Sequence, residues 1–190
     1  MNAYDFDKTI FHQDSTAQFA LWCIKRSPRA ALGALRLIVP GVGLLLHKVS
    51  KERFKERLFA ACFPKGEKLE RELQAFWRQN IGGVYRWYLN KKREDDVVIS
   101  ASPEFVVRPA MNMLGIKMLI ASPLNPETGR FEGKNCHGEE KVARFRALYP
   151  QDEVEEFYSD SLSDAPMARL AKQAWLVQGE KLIPWPQDNL

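Results

Sequence analysis

The sequence predicts an α/β protein: a Rossmann-like core with a parallel sheet, split by a helical cap inserted after the first strand. Three features predict it. Short apolar runs alternate with helical periodicities from Val97 to Gln178, the pattern of parallel crossover units. Amphipathic helical spacing fills Ser15 to about Arg93 and separates the opening strand from that alternation. Acidic, hydroxyl and lysine side chains fall where core strands are predicted to end, which is where open parallel sheets place their ligands. Residues 1–13 and 94–190 are therefore assigned to the catalytic core and residues 14–93 to the cap.

Met1–Phe6 reads as a short strand running into the loop of Asp5-Phe6-Asp7-Lys8-Thr9. Phe19, Leu21, Trp22 and Ile24 mark the first cap helix. From Ala30 to Leu46 the chain is apolar apart from Arg36, but Pro40 and three glycines interrupt it and it is short for a membrane span. It predicts a buried helix pair broken at Pro40-Gly41. Phe54, Leu58 and Phe59, then Leu69, Leu73, Phe76 and Trp77, recur at three- and four-residue spacing, with Pro64 and Gly66 between the two helices. Gly82-Gly83 marks a break in the last cap helix. Beyond Asp96 the reading is strand Val97–Ser100, helix Pro103–Leu114, strand Ile116–Ala121, and a turn over Asn125–Gly129 with Arg130–Gly133 returning as a hairpin. Helix Glu139–Leu148, strand Val154–Tyr158, helix Ala165–Ala171 and strand Ala174–Gln178 complete the core.

Hydrophobic residues make up 45% and charged residues 27% of the chain, which excludes a disordered protein. The net charge of +4 suits a phosphorylated small molecule, an anionic lipid or a nucleic acid alike. Trp22, Trp77, Trp87, Tyr85 and Tyr88 read as cap packing rather than a base-stacking platform, so no nucleic-acid partner is predicted. Cys23, Cys62 and Cys136 show neither disulfide nor zinc spacing and read as reduced thiols. No apolar stretch precedes the first acidic residue, so no signal peptide is predicted and the expected location is cytoplasmic. His12, His47 and His137 are scattered and read as ordinary polar residues.

Four groups carry chemistry. Asp5 and Asp7, two carboxylates two residues apart after a strand, can serve as nucleophile and proton carrier if a cation shields their repulsion. The run Val97–Ser100 ends in a hydroxyl suited to a phosphoryl oxygen. Lys141, at the start of a helix, offers a fixed positive charge to a transferring phosphoryl group. Asp160 and Asp164 stand at a strand end and suit Mg²⁺ through oxygen ligands; Asp164 also suits the N-cap of the next helix. Any one of these alone is a solvated turn, a strand-end serine or a surface lysine. The four together, in order on the right elements, are not.

In this order and spacing the motifs resemble those of the haloacid dehalogenase superfamily. Within it they are most similar to the phosphoserine-phosphatase-like subfamily, whose helical cap follows the first motif. The resemblance covers nearly the whole chain. It implies that Asp5 is the nucleophile and Asp7 the general acid and base, with Thr9 completing the Asp-x-Asp-x-Thr motif. It further implies that Ser100 and Lys141 are catalytic, and that Mg²⁺ sits on Asp5, the Asp7 backbone carbonyl, Asp160 and Asp164. Substrate contacts are implied for Thr9, for Asp14, where the subfamily carries Glu, and for Ala101 and Ser102, where it carries two glycines. Arg57 is the candidate for the cap arginine that meets a substrate carboxylate. The absent glycines and the shorter Asp14 argue against free phosphoserine. A looser likeness, carried by Tyr158–Ser161, Ser102-Pro103 and the apolar cap segment, is to bacterial phosphatidylglycerophosphatases.

The expected function is a Mg²⁺-dependent phosphomonoester hydrolase acting on a small phosphorylated metabolite through an aspartyl-phosphate. The alternative is a lipid-phosphate phosphatase docked peripherally through the cap at the inner face of a membrane. The basic flanks Lys25, Arg26, Arg29 and Arg36 on one side and His47, Lys48, Lys51 and Arg53 on the other would then meet anionic headgroups. A non-enzymatic membrane or partner-binding module predicts at least one incomplete motif, and all four are intact. A phosphotransferase would use the same residues. A dehalogenase is disfavoured because Asp7 supplies a leaving-group acid that carbon–halogen cleavage does not need. No oligomeric state is predicted.

Overall fold

Successive side chains of a strand point to opposite faces, and in the core strands of this chain both sets are apolar. The computed structural model describes residues 1–186. It runs β1 (Ala3–Tyr4), α1 (Ser15–Arg26), α2 (Pro28–Leu35), α3 (Ile38–Leu45), α4 (Lys51–Cys62) and α5 (Gly66–Asn80). After a 3-10 turn at Ile81–Gly83 come α6 (Arg86–Lys91), β2 (Val97–Pro103), α7 (Glu104–Leu114), β3 (Met118–Ser122) and α8 (Glu139–Leu148). The chain then closes with β4 (Val154–Ser159), α9 (Ala165–Leu170), β5 (Ala171–Gln178) and β6 (Lys181–Pro184).

The sheet has the order β3-β2-β1-β4-β5-β6, parallel throughout except for β6. Tyr4, Val98 and Tyr158 point to one face, where α7 supplies Val106, Ala110 and Met111. Ala3, Val97, Ile99 and Phe157 point to the other, against Phe145 of α8 and Met167 of α9. The fold class is the Rossmann-like α/β arrangement that the alternation predicts. β1 is only two residues long, yet it sits at the centre, so its end places Asp5 between the ends of β2 and β4.

Three local expectations are corrected. Arg130–Gly133 forms no hairpin strand; a single bridge joins Leu124 to Phe131, and Asn125 turns the chain by accepting the Glu127 and Thr128 N–H groups. β6 was not predicted; Gly179, at φ 65°, turns the chain back onto β5 as an antiparallel edge. The apolar stretch forms two helices bent by 47°, but they part at Arg36-Leu37 rather than at Pro40-Gly41, which lies inside α3, and α3 buries no residue. Expected to pack inside the cap, it lies largely exposed.

The cap has no core of its own. Phe19, Phe59, Phe76 and Trp77 belong to one apolar cluster with Phe6, Phe11 and Val106, and the Trp77 indole N–H donates to the Val106 carbonyl at 2.6 Å. The two crossings between cap and core run side by side: His12 N–H donates to Gly83 O at 3.1 Å and Tyr85 N–H to Ile10 O at 2.9 Å. Gly83 is there for space, because a Cβ would lie 2.2 Å from the His12 ring. Trp87 and Tyr88, expected in the cap, lie past the return crossing and pack on Tyr4 and Tyr158 of the sheet instead.

Candidate active site

The carboxyl ends of β1, β2 and β4 and the inner face of α4 enclose a cleft of about 460 Å³. Asp5 forms its floor. Its N–H continues the sheet by donating to Tyr158 O at 2.8 Å, so the carboxylate is fixed by the strand itself. Lys8, two residues before the loop turns back, has a left-handed backbone with φ 58°. This turn brings the Thr9 hydroxyl 3.4 Å from Asp5 Oδ2, and the same hydroxyl accepts the Asp160 N–H at 2.9 Å. Thr9 thus ties the loop after β1 to the loop after β4.

Lys141 is the best-anchored charge in the cleft. It is 1% exposed, and its Nζ donates to Asp5 Oδ1 and to Asp164 Oδ2, both at 2.7 Å. Asp164 Oδ2 also takes the Ser159 hydroxyl at 2.7 Å. Asp164 occupies the N-cap position of α9 as expected, but its side chain makes no capping bond there and serves Lys141 instead. Asp7 is held by two donors, the Ser15 N–H at 2.7 Å and the Ser102 hydroxyl. Thr16 Oγ1 stands 2.9 Å from the Ser102 oxygen, so the start of α1 and the end of β2 both orient Asp7.

Burial sets the electrostatics. It pushes Asp5 up to about 7 against the pull of Lys141, and Asp7 up to about 6 with help from the charge of Asp14. Asp160 is raised, again chiefly by burial. Burial opposes the charge on Lys141, but Asp5 and Asp164 outweigh it and hold the ammonium protonated. Five carboxylates line this cleft (Asp5, Asp7, Asp14, Asp160 and Asp164) against four lysines (Lys8, Lys51, Lys55 and Lys141), so a bound cation would help them stay ionised together.

The donor set fits Mg²⁺. All candidate ligands are oxygens, and among the described residues the Asp160 carboxylate accepts no hydrogen bond from another residue. No group of three or more acidic, His or Cys side chains among the described residues is placed to hold a metal ion by itself. Mg²⁺, which keeps several waters and uses few carboxylates, does not require such a group.

The structure gathers Asp5, Asp7, Asp14, Ala101, Ser102, Lys141, Asp160 and Asp164 around the cleft, with Thr9 just beneath. Two expected residues fall elsewhere. Ser100 is fully buried below the cleft floor, where its hydroxyl accepts the Ser102 N–H at 3.0 Å; the strand-end hydroxyl on Asp7 is that of Ser102. Arg57 is exposed and does not line the cleft. The inward face of α4 is Lys51, Phe54, Lys55 and Leu58, an i, i+3, i+4, i+7 stripe, and Arg57 lies off it.

The cap cation that enters the cleft is Lys55, which the sequence reading missed. Its Nζ donates to Ala101 O at 2.6 Å and Asn135 Oδ1 at 2.9 Å, leaving a third donor for the cleft. Burial lowers its pKa while Asp14 and Asp7 oppose that shift. Lys55→Met is expected to raise KM for a phosphomonoester about ten- to hundredfold, the worth of a hydrogen bond to a charged group, while Arg57→Ala leaves it unchanged. Steady-state kinetics of both variants check this.

A buried strand-end aspartate paired to a lysine, a second aspartate two residues on and a further acidic pair, all under a helical cap, define an enzyme of the phosphatase class. Residues 3–169 match the family of haloacid dehalogenase-like hydrolases, and the chain belongs to that family. It is 30% identical over 189 residues to Protein CicA of Caulobacter vibrioides, covering 90% of this chain and 82% of that one. A protein of unknown function from Bordetella pertussis Tohama I shares the fold with a TM-score of 0.76 at 21% identity, covering 92% and 87% of the two chains. A phosphoserine phosphatase, solved as an analogue of its phospho-aspartyl intermediate, shares the fold with a TM-score of 0.56 at 15% identity, over 90% and 83%. With its cap inserted after β1, the chain shares its fold with that phosphoserine phosphatase.

Proposed function

We propose that the protein is a Mg²⁺-dependent phosphomonoester hydrolase that acts through an aspartyl-phosphate on Asp5. The observation that supports this most is the pairing of Asp5. One of its oxygens is bound to Lys141 at 2.7 Å, while the other is held only by Thr9 at 3.4 Å and is free to attack. Attack forms the bond from Asp5 Oδ2 to phosphorus and breaks the bond to the leaving oxygen, which takes a proton from Asp7. A pKa near 6 lets Asp7 hold that proton and then recover one from the water that cleaves the acyl phosphate. Lys141 offsets charge on the phosphoryl oxygens, and the Ser102 hydroxyl orients Asp7. Mg²⁺ would be held by Asp5, the Asp7 carbonyl, Asp160 and Asp164, and when bound it supplies further positive charge to the phosphoryl group.

The substrate is a phosphomonoester other than free phosphoserine. Leu44, Phe54 and Leu58 line the cap side of the cleft, and no arginine among the described residues lines it to pair with an α-carboxylate. A turnover screen over phosphorylated metabolites, with and without Mg²⁺, tests the proposal. Phosphate release should require Mg²⁺, stop in EDTA and be inhibited by Ca²⁺, whose longer bonds and higher coordination disturb in-line attack. Asp160→Asn should raise the Mg²⁺ concentration needed for half-maximal rate by about tenfold or more. Asp164→Asn should raise it less and also lower kcat, because the Oδ2 of that carboxylate is committed to Lys141 and Ser159. Full activity in excess EDTA would refute the metal assignment.

A further inference from the structure

Seven of the fourteen large apolar side chains exposed among the described residues lie between Leu32 and Leu46. They are not scattered. On α2, Leu32 and Leu35 face outward with Arg29 and Arg36; on α3, Ile38, Val39, Val42, Leu45 and Leu46 recur at helical spacing and form one outward face. Val39 is 79% and Leu45 80% exposed. Behind the face, Gly33 lets α2 approach α4 so closely that a Cβ would sit 2.0 Å from Ala61 O, and α3 packs on α4 at Phe54, 3.9 Å from where a Cβ on Gly41 would lie. The apolar face therefore stands on a fixed support.

The charge around this face has one sign. No acidic residue occurs from Ser15 to Lys51, whereas Lys25, Arg26, Arg29, Arg36, Lys48 and Lys51 do. Arg26 is offset by Glu72 at 3.3 Å; Lys25, Arg29, Arg36 and Lys48 have no acidic partner among the described residues. An apolar face rimmed by unpaired cations complements an anionic bilayer, whose headgroups take the cations and whose acyl boundary takes the apolar side chains. No single described helix is long and apolar enough to cross a membrane, and the 47° bend between α2 and α3 suits a pair lying in the interface.

From this we infer that the α2–α3 hairpin docks the protein on an anionic bilayer and that the phosphomonoester is drawn from that surface. The part concerning the substrate rests on the hydrolase reading above; the docking does not. The position of Leu44 links the two. It lines the catalytic cleft, while its neighbour Leu45 is on the outer face, so docking sets the cleft mouth beside the headgroup layer. The apolar cap side of the cleft then receives the first carbons of an amphiphilic substrate.

Flotation with phosphatidylglycerol–phosphatidylcholine vesicles tests the docking, alongside pure phosphatidylcholine vesicles and the Val39→Glu/Leu45→Glu variant. Neither substituted residue lines the cleft, so Mg²⁺-dependent hydrolysis of a soluble phosphomonoester reports that the variant is folded. The expected result is binding to anionic vesicles at low salt, weakened about tenfold or more by the double substitution, by high salt and by removal of the anionic lipid. A phosphomonoester embedded in those vesicles should be hydrolysed faster by the wild type than by the variant, while the soluble one is hydrolysed equally by both. No binding to anionic vesicles at low salt overturns the inference, as does binding that the double substitution leaves unchanged. A vesicle-free dimer that the substitution converts to monomer, without any vesicle binding, would assign the face to a second copy and overturn it too. Loss of docking with soluble turnover intact would leave the hydrolase reading standing.

Discussion

Asp5→Asn is expected to stop turnover, by at least about 10⁴ in kcat, while the protein keeps its fold. The substitution removes the attacking oxygen without changing the size of the side chain. It costs little structure, because Asp5 is placed by its own backbone: the N–H that donates to Tyr158 O remains. Lys141 keeps Asp164 at 2.7 Å, so the ammonium is not left without a buried partner. Two measurements check the expectation. Phosphate release with the best substrate of the metabolite screen gives the rate. Beryllium trifluoride, which mimics a phosphoryl group on a carboxylate, should raise the melting temperature of the wild type and not that of the variant. If the variant kept more than about a hundredth of the wild-type rate, a covalent route through Asp5 would be wrong.

The helices and strands of the core were legible because their periodicities are local. α8 runs from Glu139 to Leu148 as its spacing predicts, and β4 extends the predicted strand by one residue. The acidic motifs were legible for a related reason: parallel strands end at one edge of a sheet, so residues at those ends meet without any knowledge of side-chain packing. Lys55 was not legible in the same way. Lys55 and Arg57 both lie on α4, and which of them faces the cleft depends on how the helix is rotated by the packing of Phe59 into the shared core. The stripe Lys51, Phe54, Lys55, Leu58 could have been read from spacing, but Phe54, Leu58 and Phe59 alone left the rotation ambiguous.

Ser100 illustrates a finer limit. The strand was expected to stop there, but β2 continues to Pro103 with a register irregularity after Ser100, and that irregularity turns Ser102 toward Asp7. Nothing in Val97–Pro103 encodes it, since it arises from the pairing with β3. The exposure of α3 was hidden for the opposite reason. An apolar run predicts burial, and only the assembled fold shows that none of the described residues covers it.

Lys141→Met is expected to unsettle both stability and chemistry, and the two effects can be separated. The ammonium is the hinge between two carboxylates at 2.7 Å, and its side chain is 2% exposed. Removing one partner of such a buried group leaves the others without compensation, which costs about 3–5 kcal/mol. The loss should appear in EDTA as a lower denaturant midpoint with an unchanged slope. It should also depend on pH. Burial already pushes Asp5 up to about 7, and Lys141 is the main influence lowering it, so without the ammonium the pKa rises further. A carboxylate raised above its unfolded value favours the folded state while it is protonated and loses that contribution as pH climbs through the folded pKa. The deficit of the variant should therefore be larger at about pH 8 than at about pH 5.5. Catalysis should fall by a further 10²–10³, roughly the worth of one fixed donor to a developing charge, even at temperatures where the variant is fully folded. Lys141→Arg restores the charge but not the compact fit between two carboxylates, so it should recover part of the stability and little of the rate. A Lys141→Met protein as stable as the wild type at both pH values would mean that Asp5 and Asp164 do not depend on this ammonium, and would overturn the electrostatic account of the cleft.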